Sequence, residues 1–220
     1  PIIDGDTLIL RSTGTFFVMC QLDATGYKDP TPSSILVKPN DPVSVNTTVD
    51  PTTLTAGESA DVTCSGLDAY DNPVAEDWDI RVDPSGSAPG PVDGLVETNM
   101  MLLGLKEGTY GVSCVHASGV EDPLPVEVSV YHGLPHRLVA TLANPTIQAG
   151  QATTVACTAE DKEGNPIYDL PMSIHLDEVL TLEGSIVSGT QSGIYEVMCV
   201  PVGLEWTAFV IEPAELQILP

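Results

Sequence analysis

Basic side chains are scarce in this sequence of 220 residues, which has 7 lysines and arginines against 31 aspartates and glutamates and a formal net charge of −24. Proteins that bind nucleic acid present clusters of lysine and arginine to the phosphates, so this charge balance argues against nucleic acid as a partner. The acidic residues are spread along the chain rather than gathered in a tail. Such a distribution is typical of a folded, well-solvated surface.

Long apolar runs, aromatic residues and catalytic motifs are also missing or few. No run of about 18 apolar residues occurs, so we expect no transmembrane segment in this chain. Aromatic residues make up 5% of the chain and hydrophobic residues 42%, so its cores must be largely aliphatic. The sequence contains no nucleophile elbow, phosphate-binding loop, dinucleotide fingerprint or zinc motif. It therefore predicts a protein that is not an enzyme and that requires no cofactor.

A motif of the form Gly-x-aromatic-x-Val-x-Cys occurs three times, at residues 14–20, 108–114 and 193–199. Alternate residues of a β-strand point to the same face, so the aromatic, valine and cysteine of each copy should share the inner face of a strand. The chain also has 19 glycines and 19 prolines, which predict frequent turns and few long helices.

Two of these strands are preceded by a second pair of matched segments. Residues 51–64 and 145–157 both run from Pro-Thr through Ala-Gly to an alternating segment that ends in cysteine. Each is followed by a turn that contains Asn-Pro. The two copies are offset by 93 residues at their first cysteine and by 85 at their second. An offset of this size indicates repeated domains rather than the short units of a solenoid.

The cysteines fit the same repeat. Cys64 and Cys114 lie 50 residues apart and Cys157 and Cys199 lie 42 apart, each pair connecting an early strand to a late one. This is the spacing of the bridge between the two sheets of an immunoglobulin-like sandwich, and each bridge should stabilise its domain by about 3–4 kcal/mol. Cys20 is expected to be unpaired within this chain. Two such disulfides predict an oxidising compartment.

Short strands bounded by turn residues, without helical periodicity, predict an all-β chain of tandem immunoglobulin-like antiparallel β-sandwiches. We expect residues 42–131 and 135–212 to be complete domains. Residues 1–39 should be the C-terminal part of another such domain whose upstream strands are missing. Residues 213–220 should be a linker or the first strand of a following domain.

The Pro-Thr-Thr-Leu-Thr-Ala-Gly segment at residues 51–57, the Asp-x-x-x-Asn-Pro turn at residues 68–73 and the Gly-Thr-Tyr-x-Val strand at residues 108–112 resemble the bacterial Ig-like repeats of invasin-type and intimin-type surface proteins. The resemblance covers residues 42–212 and part of residues 1–39. It implies rigid spacer or adhesin modules on a cell surface, without catalytic residues. The cysteine pairs are an addition, because repeats of that group are usually poor in cysteine.

Two kinds of ligand site deserve a hypothesis. The turns contain oxygen-bearing side chains of the type that Ca²⁺ prefers, namely Asp68, Asp71, Asn72, Asp161, Glu163 and Asn165. The same residue types are required by tight turns themselves, and we favour that interpretation over a metal site. Asn46 begins an Asn-Thr-Thr glycosylation sequon, which matters only if the source organism glycosylates its proteins.

Taken together, these patterns predict a non-enzymatic extracellular structural or adhesive protein, in which tandem Ig-like domains form a rigid stalk, fibre or filament component. Its partners would be further copies of itself or other surface and matrix proteins. Two alternatives stay open. The loop at residues 83–94, which has no counterpart in the later copy, would suit an Ig-like module that recognises a protein or glycan. The chain would also suit the spacer region of a larger secreted enzyme.

Overall fold

The computed structural model describes residues 1–22 and 24–220, and this part of the chain is built almost entirely from β-strands. Its one helical segment is a single 3₁₀ turn at Trp206–Ala208. The strands form two complete β-sandwiches in succession, preceded by an N-terminal group of hairpins. The predicted all-β fold of tandem Ig-like sandwiches is thereby confirmed.

The N-terminal region contains small paired strands, and its described residues form no buried core. Its strands are β1 (Ile2–Asp4), β2 (Thr7–Ile9), β3 (Gly14–Val18), β4 (Gln21–Leu22), β5 (Tyr27–Lys28) and β6 (Ser33–Val37). The pairs are β1 with β2, β3 with β6, and β4 with β5, all antiparallel. We predicted that Val18 and Cys20 face a core, but both are exposed, because no opposing sheet covers them in the described residues.

The second region is a sandwich of two sheets. Its strands are β7 (Ser44–Asp50), β8 (Thr53–Thr55), β9 (Ser59–Leu67), β10 (Pro73–Val74), β11 (Trp78–Pro84), β12 (Leu95–Thr98), β13 (Met101–Gly104), β14 (Gly108–His116) and β15 (Val126–Tyr131). One sheet has the order β10-β9-β13-β12, with β7 also paired to β9; the other has the order β11-β14-β15-β8. Only β8 and β15 run parallel among the named strands of this sandwich.

The core of the second sandwich lies between these sheets and follows the alternation of the strands. Tyr110, Val112 and Cys114, the inward residues of the repeated motif, are fully buried. They pack in one cluster with residues of the opposite sheet such as Leu102 and Val62. The repeated motif is therefore the centre of the hydrophobic core.

The third region repeats this architecture. Its strands are β16 (Arg137–Leu142), β17 (Thr146–Gln148), β18 (Ala152–Glu160), β19 (Pro166–Ile167), β20 (Met172–Leu176), β21 (Leu180–Glu183), β22 (Ile186–Gly189), β23 (Gly193–Pro201), β24 (Val210–Glu212) and β25 (Ala214–Leu219). One sheet has the order β21-β22-β18-β16-β24, with β19 on β18, and the other has the order β17-β25-β23-β20.

The last strand corrects one expected boundary. We predicted that residues 213–220 are a linker or the start of a following domain, but β25 pairs antiparallel with β23 and parallel with β17. Its side chains Leu216 and Ile218 are buried in the core of the third sandwich. The segment is therefore the closing strand of this sandwich, at the position that β15 has in the second.

Each complete sandwich is held by one disulfide between its sheets. Cys64 on β9 is bonded to Cys114 on β14, and Cys157 on β18 is bonded to Cys199 on β23. The Cα atoms of each pair are 5.7 Å apart. The bridges thus join equivalent strands in the two domains, while Cys20 has no disulfide partner among the described residues.

Candidate functional site: two matched domain junctions

The Asp-x-x-x-Asn-Pro turns of the two sandwiches have the same internal geometry. In the second sandwich the Asp68 N–H donates to the Asn72 carbonyl (3.0 Å), and the Asp71 N–H donates to the Asp68 carbonyl (3.1 Å). In the third, the Asp161 N–H donates to the Asn165 carbonyl (3.0 Å) and Gly164 donates to Asp161 (3.2 Å). The matched bonds show that one turn type has been used twice.

The fourth position of this turn requires a left-handed backbone. Asp71 has φ = 60° and Gly164 has φ = 78°. Aspartate and glycine are among the residues that tolerate this region, since glycine has no Cβ and aspartate can bond locally through its side chain. The turn therefore explains these two residues without a ligand.

The aspartate that opens each turn closes it with its side chain. Asp68 Oδ1 accepts hydrogen bonds from the N–H groups of Tyr70 (2.8 Å) and Asn72 (3.0 Å). Asp161 Oδ1 accepts one from the N–H of Asn165 (2.7 Å). Asp68 and Asp161 are both buried. These carboxylates thus accept hydrogen bonds from N–H groups of the turn that have no backbone carbonyl as a partner.

The asparagine that ends each turn reaches into the preceding domain. Asn72 Nδ2 donates to the carbonyl of Arg11 (2.7 Å), and its Oδ1 accepts from the N–H of Thr13 (3.0 Å). Asn165 Nδ2 donates to the carbonyl of Leu105 (2.9 Å), and its Oδ1 accepts from the N–H of Glu107 (3.0 Å). One amide group therefore pairs with two backbone groups of a loop, in the same way at both junctions.

The same aspartates also fix the linkers. Asp68 Oδ2 accepts from the N–H of Asn40 (3.1 Å), and Asp161 Oδ2 accepts from the N–H of Gly133 (2.7 Å). At the second junction the Lys106 Nζ atom adds a hydrogen bond to the carbonyl of Glu163. Each turn therefore holds both the linker that leads into its own sandwich and the loop of the domain before it.

The electrostatics of the turns agree with this role. Burial alone would raise the pKa of Asp68, but the hydrogen bonds from Asn72, Tyr70 and Asn40 outweigh it and lower the pKa to about 2. Burial likewise opposes ionisation of Asp161, and the bonds from Gly133, Asn165 and Glu163 lower its pKa below the ordinary value. Both carboxylates are therefore ionised at neutral pH and bound by N–H donors.

The structure brings the six Ca²⁺ candidates together in two groups, one in each turn. In each group the aspartate oxygens already accept several N–H bonds and the asparagine amide is bonded to the preceding domain. Asp71 is exposed. In residues 1–22 and 24–220, no group of three or more His, Cys, Asp or Glu side chains is arranged to hold a metal ion.

The glycosylation candidate and the long loop occupy other surfaces. Asn46 lies on β7 with its side chain exposed, opposite Ser65 of β9. The loop at residues 83–94 does not project freely, because Thr109 of β14 accepts hydrogen bonds from the N–H groups of Ser85 (2.9 Å) and Gly90 (3.3 Å). Gly90 and Gly94 of this loop lie so close to the Tyr110 ring that any side chain there would collide with it.

Two structural features could not be predicted from the sequence. The preceding loop offers the asparagine backbone groups only, so the side chains of Leu105 and Glu107 do not indicate the contact in the sequence. The second is Asp122, which is buried and accepts hydrogen bonds from the N–H groups of Thr47 (2.6 Å) and Leu124 (3.0 Å). In a chain with so many acidic residues, the sequence does not distinguish a single structural aspartate from the exposed ones.

No protein-family model and no curated protein matches this sequence. Among solved structures, the chain is similar to the adhesin FdeC of Escherichia coli, with a TM-score of 0.49, 19% identity and coverage of 94% of this chain and 74% of that one. It is also similar to invasin, a bacterial integrin-binding protein (TM-score 0.45, 17% identity, 94% of this chain and 46% of that one). A third is InvD of Yersinia pseudotuberculosis (0.40, 18%, 80% and 58%).

Two further findings concern location. Two intradomain disulfides are typical of proteins of the cell surface or the extracellular medium. Within the described residues, no helix has the length and apolar character needed to cross a membrane.

Proposed function

We propose that this protein is a non-enzymatic extracellular structural or adhesive protein, and that its Ig-like sandwiches form a stiff row as part of a stalk, fibre or filament. The observation that carries the proposal is the matched pair of junctions, in which one buried Asp-Asn turn bonds both the linker and the preceding loop. A junction built only to connect domains needs no such bonds. When both junctions have these hydrogen bonds, the bonds restrict the rotation of each domain relative to the next.

The linkers support the same conclusion. Lys38-Pro39-Asn40-Asp41-Pro42 and His132-Gly133-Leu134-Pro135 are short and contain proline, which restricts backbone rotation. Because Asp68 and Asp161 each bond a linker N–H, the remaining freedom is reduced further. A stiff row displaces its far end from the surface on which it is anchored. That is the mechanical requirement of a stalk or an adhesin.

Small-angle X-ray scattering of the protein, with and without the substitution Asn165→Ala, tests this function. We expect an extended, narrow distance distribution for the unchanged protein. Asn165→Ala should broaden it, because the variant loses both bonds to the loop at Leu105 and Glu107. Asn144→Ala, at an exposed asparagine, is the matched control and should leave the distribution unchanged. A compact globule, or identical curves for all three proteins, would overturn the proposal.

A second candidate is a ligand-binding module, and the loop at residues 83–94 of the second sandwich favours it. The loop packs beside the second junction, where Pro89, Pro91, Lys106, Pro166 and Tyr168 line a groove. Tyr168 is almost fully exposed there. Deletion of residues 86–92 should abolish binding to a protein or glycan partner if this candidate is right. It should leave binding unchanged if the loop only supports β14.

A further inference from the structure

The loop that receives the asparagine occurs three times in the chain. Each loop lies directly before the glycine that opens a repeated motif. The carbonyl that accepts from the asparagine Nδ2 belongs to the third residue before this glycine. The N–H that donates to the asparagine Oδ1 belongs to the residue directly before it. Arg11 and Thr13 have these positions before Gly14, and Leu105 and Glu107 have them before Gly108. In the third copy the equivalent residues are Thr190 and Ser192, before Gly193.

Two matched bonds show that the second and third loops are held alike at their centres. Tyr110 Oη donates to the carbonyl of Lys106 (2.7 Å), and Tyr195 Oη donates to the carbonyl of Gln191 (3.1 Å). Lys106 and Gln191 are the middle residues of loops of equal length. This ring-to-loop bond is formed from the fully buried Tyr110 in one case and from the half-buried Tyr195 in the other.

The strand that leads into each loop is fixed in the same manner. Gly104, at the end of β13, accepts a hydrogen bond from the N–H of Gly57 (2.8 Å). Gly189, at the end of β22, accepts one from the N–H of Gly150 (2.9 Å). The loop at residues 190–192 is therefore anchored at its first end and at its centre as the loop at residues 105–107 is. The loop at residues 105–107 has two further bonds, from the N–H groups of Leu105 (2.7 Å) and Lys106 (2.9 Å) to the Gly94 carbonyl.

The third loop differs from the second in what it contacts. In the described part of the chain, no hydrogen bond uses the carbonyl of Thr190 or the N–H of Ser192, and both residues are exposed. Thr190, Gln191 and Ser192 are all uncharged, so an approaching aspartate carboxylate meets no repulsion from the loop itself. The loop thus presents the two backbone groups that an asparagine amide requires.

We propose that the loop at residues 190–192 is a docking site for the Asp-x-x-x-Asn-Pro turn of another sandwich of this type. The asparagine of that turn would donate to the carbonyl of Thr190 and accept from the N–H of Ser192, as Asn165 does with Leu105 and Glu107. The proposal rests on the row of sandwiches proposed above and names the surface through which the row is extended.

A chain with one further sandwich tests the docking site. Residues 132–219 are appended after Leu219, so that the second copy of the linker follows β25 as the first follows β15. Hydrogen exchange of the Ser192 N–H is then measured by NMR in the 220-residue protein and in the extended protein. We expect exchange to slow about tenfold or more in the extended protein, because the amide becomes bonded.

Two variants of the extended protein make the test specific. Replacing only the appended copy of Asn165 by alanine should restore fast exchange at Ser192. Gln191→Ala changes the loop without removing either backbone group and should keep the protection. Equal exchange in all these proteins, with the appended sandwich folded and its disulfide formed, would overturn the docking site. That result would not contradict the proposed stiff row, because scattering of the 220-residue protein tests the stiffness separately.

Should the appended sandwich remain unfolded, the amide signals of its core valines would show it. That outcome would also overturn the docking site, since the same sandwich folds when it follows the loop at residues 105–107.

Discussion

Asp68 and Asp161 each use one carboxylate for two purposes, the closure of a turn and the attachment of a linker. The number of N–H donors around each group, rather than a nearby cation, keeps the carboxylates ionised despite burial. An asparagine in the same place would retain one acceptor oxygen and lose the charge. The stability of the junction must therefore depend on pH in a range set by these residues.

Asp68→Asn makes this dependence measurable. The folded-state pKa of Asp68 is about 2, below the ordinary value of about 3.9, so its contribution to stability is complete above about pH 4 and is lost as the pH falls through about 2. We expect the difference in unfolding free energy between the wild type and Asp68→Asn to be constant from pH 5 upward and to shrink below about pH 4. Urea unfolding between pH 2 and pH 6 measures it.

Asp71→Asn is the control for this experiment, because it changes the charge of the same turn without removing any of the bonds that Asp68 accepts. Asparagine also tolerates the left-handed backbone at that position. A difference between wild type and Asp68→Asn that is unaffected by acid would contradict the proposed origin of the low pKa.

Among the structural elements, the long central strands were predictable and the short edge strands were not. The alternation of Tyr110, Val112 and Cys114 indicates a buried strand, and all three are buried in β14, together with Gly111 and Ser113 between them. Strands of two or three residues, such as β10 and β19, are too short to show alternation, and only pairing with a neighbour defines them. Our assignment was wrong at β25, because Pro213 directly before this strand resembles the proline that precedes the first strand of a domain.

The junction could be predicted only in part, for a related reason. The residues of the Asp-Asn turns stood out because their side chains have a recognisable pattern. Their partners at Arg11, Thr13, Leu105 and Glu107 contribute peptide groups, which every residue has. When a side chain bonds a distant backbone group, only the residue that supplies the side chain can be recognised from the sequence.

Truncation of the chain after Glu212 tests the assignment of β25. The strand buries Leu216 and Ile218 in the core of the third sandwich, and loss of either side chain alone costs about 2–5 kcal/mol. Together with the lost strand pairing, this approaches the whole stability of a typical domain. We expect hydrogen-exchange protection to disappear from β18 and β23 while β9 and β14 of the second sandwich remain protected.

Removal of Pro220 alone is the matched control, since this residue lies beyond β25. Should the third sandwich keep its protection in the chain that ends at Glu212, β25 would be dispensable to it. The original assignment of residues 213–220 to a linker or following domain would then be restored.

At the scale of the whole molecule, the net charge of −24 makes any cation stabilising through screening. We propose that Ca²⁺ acts on this protein only in that general way, because the carboxylates of Asp68 and Asp161 are already bonded to N–H groups. Ca²⁺ and Mg²⁺ at equal ionic strength should raise the melting temperature equally. Thermal unfolding followed by circular dichroism measures the effect.

A specific site would behave differently. It would give a saturable increase in melting temperature with Ca²⁺ and not with Mg²⁺, and Asp71→Asn or Glu163→Gln would remove the increase. That outcome would assign a metal to the turns and contradict our interpretation of them.

The asparagine of each junction bonds only the peptide backbone of the domain before it. For these two bonds a domain of this type therefore needs no particular side chains in its predecessor, only a loop of the right length and shape. Duplication, loss or reordering of whole domains would leave each new junction functional at once, without compensating substitutions. Proteins assembled from such units can change their length in a single genetic step.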